Sequence, residues 1–188
     1  MTQFVRHAIS DVIEVTPPKY GDNRGFFSEV FKQSAFEAEG IRIDWIQDNQ
    51  SLSAPVATVR GLHFQAPPVA QDKLVRVLRG AVYDVALDIR KGSPTYGQHV
   101  GVTLSAEKWN QLLVPVGFAH CFMTLVPDTE VLYKVSGPYS KEHEGAIRWN
   151  DPALGIDWPE IEGEPTLSEK DLEAPLLADF DTPFTYKG

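Results

Sequence analysis

The segment RGLHFQAPPVAQDKLVRVLRG, residues 60–80, carries a histidine and a lysine at positions where they could share one pocket. Its pattern predicts two strands joined by a proline-rich turn over 66–72. His63 falls in the middle of the first strand and Lys73 begins the second, so we expect the two side chains to lie close together. A histidine titrates near neutral pH and can take a proton from carbon. A neighbouring ammonium lowers the basicity of such a histidine unless a carboxylate offsets the charge.

The same segment contains two arginines whose side chains are harder to place. Strict strand alternation puts Arg60 on the face opposite His63, where it would be an exterior arginine. A bulge at Gly61 would be needed to bring Arg60 and His63 into one pocket. Arg76 shares a predicted strand face with two leucines, and we expect it at the surface.

A second candidate histidine follows a tight turn in VPVGFAHCF, residues 114–122. The pattern Pro-x-Gly-x-x-His, which ends at His120, resembles the second motif of the cupin superfamily, whose histidine often binds a metal. The first cupin motif supplies His-x-His and a later glutamate, but here Gln65 stands where its second histidine is expected. Two scattered histidines without an evident carboxylate specify a divalent metal site poorly. We therefore predict a cupin-like jelly roll without a metal.

Three further features each admit a structural and a functional interpretation. Tyr133 is either a half-buried core tyrosine or a phenol placed to donate a proton. The spacing Ser168-x-x-Asp171 favours a capping box, in which Asp171 only closes a helix start. The run DNRG, 22–25, is a turn signature first and a binding loop second, and Glu29 would by itself be an ordinary exposed strand residue.

Short apolar runs punctuated by proline and glycine predict an all-β sandwich or barrel, with residues 1–188 as one domain. In the run 81–89, Tyr83, Val85 and Leu87 mark an apolar face, and the opposite face lines solvent or a polar cavity. Two short helices are predicted at Ser34–Glu39 and Ser168–Glu173. The predicted strands are Asp11–Val15, Phe26–Phe31, Ile43–Gln50, Ala57–Phe64, Leu74–Arg79, Ala81–Ile89, His99–Leu104, Gln111–Val114, His120–Leu125 and Val131–Val135.

Bulk composition narrows the possible partners of the chain. The net charge of −9 argues against nonspecific binding to nucleic acid or to an anionic membrane surface, although a few local cations could still bind an anionic small molecule. Cys121 is the only cysteine, so no internal disulfide is possible and a reducing compartment is expected. The N-terminus does not resemble a signal peptide, and no run of about 18 apolar residues occurs. We expect a cytoplasmic protein.

Several segments together resemble one family, dTDP-4-dehydrorhamnose 3,5-epimerase, over nearly the whole chain. The long pattern RGLHxQ-PP-x-AQ-x-KLVRV-x-RG within 60–80 is the most specific. The other segments are DNRGFFSEVF (22–31), QDNQSLS (47–53), LSAEKWNQLLVPVGFAHCF (104–122), YK (133–134), WNDPALGIDWP (149–159) and LSEKD (167–171).

The resemblance implies a metal-free and cofactor-free jelly roll that acts as a homodimer on a dTDP-4-keto-6-deoxyhexose. By position, His63 would be the general base, with Asp171 as its partner, and Tyr133 the general acid. Lys73 would stabilise the enolate. The positions that would contact substrate are Arg24, Phe27, Glu29, Gln47, Asn49, Arg60, His120, Tyr139, Glu144 and Lys170, with Phe27 and Tyr139 as candidates to stack on the base or sugar.

These residue types suit the chemistry. A ketone at carbon 4 acidifies the hydrogens on carbons 3 and 5, and removing one leaves an enolate that a nearby cation stabilises. Inversion then needs an acid on the other side of the ring, separate from the base.

The sequence departs from the family pattern in two places. Phe64 replaces a tyrosine, and Cys121 stands where glycine is common and would add bulk beside His120.

Four other functions remain open at this stage. An epimerase acting at carbon 3 or carbon 5 alone would keep the same base and acid. A sugar-nucleotide ketoisomerase would move the carbonyl to carbon 3. A metal-dependent cupin oxygenase is disfavoured by Gln65, and a non-catalytic nucleotide-sugar binding protein is disfavoured by the intact set of candidate acid, base and lysine.

Overall fold

The computed structural model describes residues 1–187, which fold mainly into β-strands. Two short α-helices occur among them, α1 (Gln33–Ala38) and α2 (Glu169–Glu173). The strands are β1 (Gln3–Arg6), β2 (Ile13–Thr16), β3 (Tyr20–Asp22), β4 (Gly25–Phe27), β5 (Gln47–Ser53), β6 (Val59–Gln65), β7 (Lys73–Arg79), β8 (Ala81–Asp88), β9 (His99–Ser105), β10 (Gln111–Val114), β11 (Phe118–Thr124), β12 (Thr129–Val135) and β13 (Glu144–Ala146).

Two antiparallel sheets pack face to face. One has six strands in the order β1-β2-β10-β7-β12-β5, and the other has five in the order β13-β6-β11-β8-β9. Strands β3 and β4 form a separate hairpin. The crossovers between non-consecutive strands are those of a jelly roll, so the predicted all-β cupin-type sandwich is confirmed.

Apolar side chains fill the space between the sheets and also cover both outer faces. The inner core includes Val75, Val82 and Phe122. The outer face of the five-stranded sheet is covered by the C-terminal segment, which brings residues such as Trp149 and Phe184. The outer face of the six-stranded sheet is covered by α1 and its flanking residues. Strand β11 is therefore buried along its whole length, and simple alternation of polar and apolar residues fails there.

The alternation in β8 separates two apolar layers rather than a core from solvent. Val85 and Leu87 face the outer layer, and Val82 and Ala86 face the inner core. Asp84, on the inner side, has no exposed surface. This inner face of β8, predicted to line either solvent or a polar cavity, is therefore enclosed within the protein.

Several predicted strand ends are wrong, because aromatic packing outweighs strand propensity. The strand predicted to reach Phe31 ends at Phe27. The ring of Phe31 instead packs against Phe36 of α1 and Trp45, at centroid distances of 5.0 Å and 6.3 Å. The strand predicted from Ile43 starts four residues later for the same reason. The short strands β1, β3 and β13 were not predicted.

A one-residue bulge in β6 determines which side chains enter the space between the sheets. His120 pairs with His63, but Phe122 pairs with Arg60, so two residues on β11 span three on β6. The extra residue switches the alternation, and Arg60 and His63 both line one cavity. The bulge required at Gly61 is therefore present, and the expectation that Arg60 lies on the exterior face is wrong.

Gly61 suits this position for two reasons. Its φ of +129° lies in a region that residues with side chains rarely adopt. A Cβ there would lie 2.6 Å from the Cα of Cys121 and would also overlap the His120 carbonyl oxygen. Backbone atoms cannot move aside cheaply, so the close approach of β6 to β11 requires glycine.

Among the helices of residues 1–187, none has the length and hydrophobicity that a membrane-spanning helix needs.

Gly61→Ala should destabilise the protein by about 3–5 kcal/mol, because it adds both a backbone clash and backbone strain. The matched control is Gly92→Ala. Gly92 also has a positive φ, +83°, but a Cβ there meets nothing within 4 Å, so only about 1–2 kcal/mol of strain is expected. Urea unfolding, followed by circular dichroism, measures the free energy of unfolding of both variants. Equal losses of that free energy would show that the contact between residue 61 and β11 does not affect stability.

Candidate active site

A cavity of about 380 Å³ lies among the inner faces of β6, β7, β11 and β12 and is bordered by the segment that leads into α2. A smaller cavity of about 100 Å³ shares His63, Lys73 and Tyr133 with it. The larger cavity is also lined by Ser51, Thr58, Val59, Arg60, His120, Phe122, Thr166, Leu167, Ser168 and Asp171. The smaller one adds Asn49, Phe64, Gln65, Gln71, Tyr139 and Glu144.

His63 is hydrogen bonded through Nε2 to the carboxylate of Asp171, which lies 108 positions later in the chain. Asp171 is only 3% exposed in its side chain, and its other oxygen accepts a 2.8 Å hydrogen bond from the Ser168 hydroxyl. Burial favours the neutral acid, but hydrogen bonds from His63 and Ser168 still lower the pKa of Asp171. A carboxylate at Nε2 fixes the neutral tautomer with its proton on Nε2 and its lone pair on Nδ1. Nδ1 is then the atom that can accept a proton.

The structure forms the Ser168 half of the predicted capping box, but the Asp171 side chain does more than close the helix start. Ser168 is the N-cap of α2, and its hydroxyl accepts a 3.3 Å hydrogen bond from the Asp171 backbone N–H. The Asp171 side chain meanwhile reaches His63. Helix capping therefore holds the backbone of Asp171 in place while its carboxylate faces the cavity.

Lys73 lies at the start of β7, where its ammonium donates a 3.4 Å hydrogen bond to the His63 carbonyl oxygen. Burial lowers the pKa of Lys73 to about 8, while the charges of Asp84 and Glu144 oppose the shift. The side chain is therefore still mostly cationic at neutral pH. An ammonium in this position can stabilise an oxyanion that develops in the cavity.

Tyr133 lies on β12 between Val75 of β7 and Asn49 of β5. It packs against the inner core, and burial raises the pKa of its phenol, partly opposed by Arg60 and Asn49. The phenol therefore stays protonated at neutral pH and can donate. Because Tyr133 belongs to the six-stranded sheet and His63 to the five-stranded sheet, the candidate acid and base come from opposite walls of the cavity.

His120 forms a second histidine–carboxylate pair. Its Nε2 lies 2.9 Å and 3.0 Å from the two oxygens of Asp84. Sequence reasoning did not select Asp84, although the small and polar alternation of β8 placed it on the correct face. No local pattern could pair it with a histidine on another strand.

Polar side chains anchor the rim of the site. Arg60 donates to the Ser53 hydroxyl at 3.2 Å and to the Leu52 carbonyl at 3.3 Å. Glu144 accepts from the Tyr139 hydroxyl at 3.3 Å and forms an ion pair with Lys170. Gln47 donates to Asn49 at 2.7 Å. Seven of the ten predicted substrate contacts thus border the cavities or are bonded to residues that do: Gln47, Asn49, Arg60, His120, Tyr139, Glu144 and Lys170.

The other three predicted contacts lie elsewhere in the chain. Arg24 and Phe27 are exposed on the β3–β4 hairpin, and Glu29 follows it. Arg24 forms an ion pair of 2.6 Å with Asp22, and Glu29 one of 3.4 Å with Lys32. None of the three lines either cavity.

The two departures from the family pattern do not crowd the larger cavity. Cys121 belongs to the outer core of the five-stranded sheet, on the face of β11 opposite His120. The expectation that it adds bulk beside His120 is therefore wrong. Phe64 packs its ring against Phe180 and Phe184 on the same outer face, at 5.5 Å and 5.8 Å.

Gln65 occupies the position of the second histidine in the cupin metal motif. Its side-chain oxygen accepts a 2.9 Å hydrogen bond from the backbone N–H of Ser140, so it anchors the loop before β13. Within residues 1–187, no three histidine, cysteine, aspartate or glutamate side chains are grouped to hold a metal ion.

Comparison with known proteins gives consistent results. Residues 6–179 match the family described as dTDP-4-dehydrorhamnose 3,5-epimerase. A protein of that name from Sinorhizobium fredii is 52% identical over 183 residues, which cover 97% of this chain and 93% of the relative. An epimerase structure from Legionella pneumophila, in complex with dTDP-4-keto-L-rhamnose, is 42% identical with a TM-score of 0.95, and the match covers 100% of both chains. The structure of a 3′-monoepimerase from Streptomyces bikiniensis, in complex with dTDP-quinovose, is 34% identical with a TM-score of 0.85. The match covers 92% of this chain and 87% of the monoepimerase chain.

The lowered pKa of Lys73 can be tested on the ligand-free protein. In protein labelled with ¹³C at lysine Cε, one signal should titrate with a pKa of about 8, because burial disfavours the ammonium. That signal should be missing from the spectrum of Lys73→Met. If every lysine signal titrated near the unperturbed value of about 10.4, the site would be more solvated than the structure indicates.

Proposed function

This chain belongs to the dTDP-4-dehydrorhamnose 3,5-epimerase family, and we propose a mechanism in which its own residues carry out that reaction. The protein is an isomerase that converts dTDP-4-keto-6-deoxy-D-glucose to dTDP-4-keto-L-rhamnose by inverting carbons 3 and 5. The observation that carries the mechanism is the pairing of His63 with Asp171 on one wall of a cavity that has Tyr133 on the other. Lys73 borders the same cavity.

Proton abstraction is assigned to His63. With its Nε2–H held by Asp171, the Nδ1 lone pair takes the acidic hydrogen from carbon 3 or carbon 5. The imidazolium that forms is stabilised by the adjacent carboxylate, which also keeps the ring oriented. Asp171 does not need to accept the proton.

The electron pair left on carbon moves into the ketone and produces an enolate oxygen at carbon 4. Lys73 is the cation assigned to this oxygen. Its ammonium is held in a partly buried site, where charge stabilisation is stronger than in water. The hydrogen bond of 3.4 Å from Lys73 to the His63 carbonyl oxygen keeps the cation next to the strand that carries the base.

Inversion requires a proton from the face opposite the base. Tyr133, on the facing sheet, supplies it from a phenol that burial keeps protonated. Donation leaves a phenolate, which regains a proton from solvent while His63 releases the one it took. The net reaction consumes no oxidant or reductant and can be repeated at the second carbon.

Deuterium incorporation tests the reaction directly. Wild-type protein incubated with dTDP-4-keto-6-deoxy-D-glucose in deuterated water should give product labelled at carbons 3 and 5, as measured by mass spectrometry and NMR. Label at one carbon only would make this chain a single-site epimerase with the same machinery. A product with its ketone at carbon 3 would make it a ketoisomerase.

The roles of the base and the acid can then be separated. His63→Ala should lower the rate about 10²–10⁴-fold while dTDP still binds, because only the proton acceptor is lost. Tyr133→Phe should lower product formation more than it lowers deuterium uptake into recovered substrate, because His63 can still remove and return a proton on one face. A rate close to wild type in His63→Ala would overturn the assignment of His63 as the base. Equal losses of product formation and of deuterium uptake in Tyr133→Phe would overturn the assignment of Tyr133 as the acid.

We also propose that the chain acts as a homodimer in which the β3–β4 hairpin completes the site of the partner subunit. Support comes from apolar exposure: Phe27 is 66% exposed on the hairpin, and Ile46 and Leu52 are 58% and 51% exposed at β5. Strand β5 is also the last strand of its sheet, so no further strand of residues 1–187 pairs with its outer edge. An arrangement of this kind would bring Arg24 to a cavity of the partner subunit, although it does not line the cavities of its own chain.

Mixing two inactive variants tests this arrangement. If Arg24 acts on the partner's site, Arg24→Ala and His63→Ala should each be poorly active, but their mixed dimer contains one intact site. Subunits mixed by joint refolding should then recover about a quarter of wild-type activity, since half of the dimers are mixed and each has one working site. Light scattering must show twice the chain mass of 20.9 kDa. A dimer without recovery would place Arg24 in its own subunit's site, and a monomer would rule out the arrangement.

A cytoplasmic location is part of the proposal. Cys121, the only cysteine, is free and buried, which suits a reducing compartment. A nucleotide diphosphate sugar is multiply charged and does not cross a bilayer unaided, so the enzyme must work where its substrate is made.

A further inference from the structure

The β3–β4 hairpin needs support from the rest of the chain. Each of its strands has three residues, and all six are exposed. Within residues 1–187 the two strands pair only with each other. A two-stranded hairpin of this size is marginally stable in water unless it packs against another element. Contacts from side chains outside the hairpin must therefore hold it in place.

Trp109 contacts the hairpin at three points. Its indole ring packs edge-on against the ring of Phe26 in β4, with the ring centroids 4.9 Å apart. Its Nε1–H donates a 3.0 Å hydrogen bond to the hydroxyl of Ser28, which directly follows β4. The ammonium of Lys19, which directly precedes β3, lies 4.2 Å from the centroid of the indole ring and 4.3 Å from that of the Phe26 ring. Both ends of the hairpin and its second strand thus contact one side chain.

Trp109 is itself fixed to the six-stranded sheet. It lies in the turn between β9 and β10, next to Asn110, which is buried. The Asn110 amide donates a 2.7 Å hydrogen bond to the carboxylate of Glu14 on β2. The guanidinium of Arg76, on β7, lies 4.9 Å from the centroid of the indole ring. The indole therefore joins the hairpin to the main body of the protein.

The backbone of Trp109 is in an unusual conformation. Its φ is +62°, in the left-handed region that bulky residues rarely adopt and that glycine or asparagine adopts more readily. Either of those two residues would form the same turn at a lower cost in free energy. The contacts of the tryptophan side chain must therefore offset the cost of its backbone conformation.

Docking of Phe26 on Trp109 determines where the neighbouring side chains of the hairpin point. Successive side chains of a strand point to opposite faces, so Phe27 is turned away from the indole, where it is 66% exposed. Arg24 lies in the turn between β3 and β4. The orientation of both residues therefore depends on the contact between Phe26 and Trp109.

We propose that Trp109 is a positioning residue for substrate binding, because it holds the β3–β4 hairpin in the orientation in which Arg24 and Phe27 meet the substrate. The inference rests on the proposed function, which takes Arg24 and Phe27 as substrate contacts. Trp109 lines neither of the two cavities, so it acts on the substrate only through the hairpin.

Amide hydrogen exchange in the ligand-free protein tests whether Trp109 holds the hairpin. Trp109→Asn removes the indole but suits the left-handed backbone, so the turn should still form. Amides of residues 20–27 should exchange about ten- to a hundredfold faster than in wild type, because an aromatic pair, a cation–π contact and a hydrogen bond are lost together. Trp109→Phe keeps an aromatic ring and should recover part of the protection. Unchanged exchange in Trp109→Asn would overturn the proposal.

The matched control is Trp158→Ala. Trp158 also packs edge-on against an aromatic ring, that of Trp149 at 5.3 Å, and its Nε1–H donates a 3.1 Å hydrogen bond to the Trp149 carbonyl oxygen. These contacts lie on the outer face of the other sheet. The control should therefore leave the exchange of residues 20–27 unchanged, and faster exchange there would show that any loss of packing loosens the hairpin.

Steady-state kinetics separates positioning from general destabilisation. In Trp109→Asn, KM for dTDP-4-keto-6-deoxy-D-glucose should rise about tenfold while kcat stays within about twofold of wild type, because binding is weakened but the base and the acid are untouched. A fall in kcat at an unchanged KM, or faster amide exchange without any change in KM, would show a merely structural role and overturn the proposal.

A double-mutant cycle tests whether Trp109 acts through Arg24. If the position of the hairpin is what matters, Arg24→Ala should lower kcat/KM much less in the Trp109→Asn background than in the wild-type background. Fully additive losses would show that the two residues act independently and would contradict the proposal.

The proposed function and the role of Trp109 can fail separately. A wild-type protein that exchanged no deuterium with the substrate would contradict the proposed function. The amide exchange of ligand-free Trp109→Asn would still decide whether Trp109 holds the hairpin.

Discussion

The close approach of β6 to β11 at Gly61 is the constraint on which the site depends. The extra residue there shifts the inward and outward alternation of the side chains along β6 by one position. Val59 therefore packs in the outer core, while Arg60 and His63 line the same cavity. Without the bulge, one of these two polar side chains would be forced into the apolar layer under the C-terminal segment. That position would cost free energy because a charged group would lose its water without gaining a partner. The backbone irregularity is therefore what allows two polar side chains of one strand to face the same cavity.

Charge compensation organises the interior of the cavity. His63 is paired with Asp171, His120 with Asp84, and Lys170 with Glu144. Lys73 lies beside these pairs as a cation that can meet a developing negative charge in the cavity. Such an arrangement has its dipoles and charges in place before substrate arrives, so little reorganisation is needed during the reaction. It also ties the protonation of each group to that of its neighbours, which makes pH profiles informative about this site.

The C-terminal segment links stability to chemistry. It covers the outer face of the five-stranded sheet with aromatic and aliphatic side chains, and it forms an isolated bridge between Thr166 and Thr58. The same segment continues into α2, where capping by Ser168 places Asp171 against His63. Loosening this cover would therefore disturb the contact between Asp171 and His63 as well as the core.

Local sequence signals were enough to predict the all-β class, most of the central strands and the separate candidates His63, Lys73, His120 and Tyr133, because strand periodicity and turn residues depend on neighbouring positions in the chain. Local spacing favoured a cap for Asp171, and only the resemblance to a family paired it with His63, since a contact across 108 positions has no local signature. Tertiary structure alone decided the bulge at Gly61, the end of β4 and the pairing of Asp84 with His120. Each depends on what neighbouring strands or aromatic rings occupy in space. Local propensity is weak compared with the free energy of burying a ring or pairing a buried charge, so such features are decided only when the sheets pack.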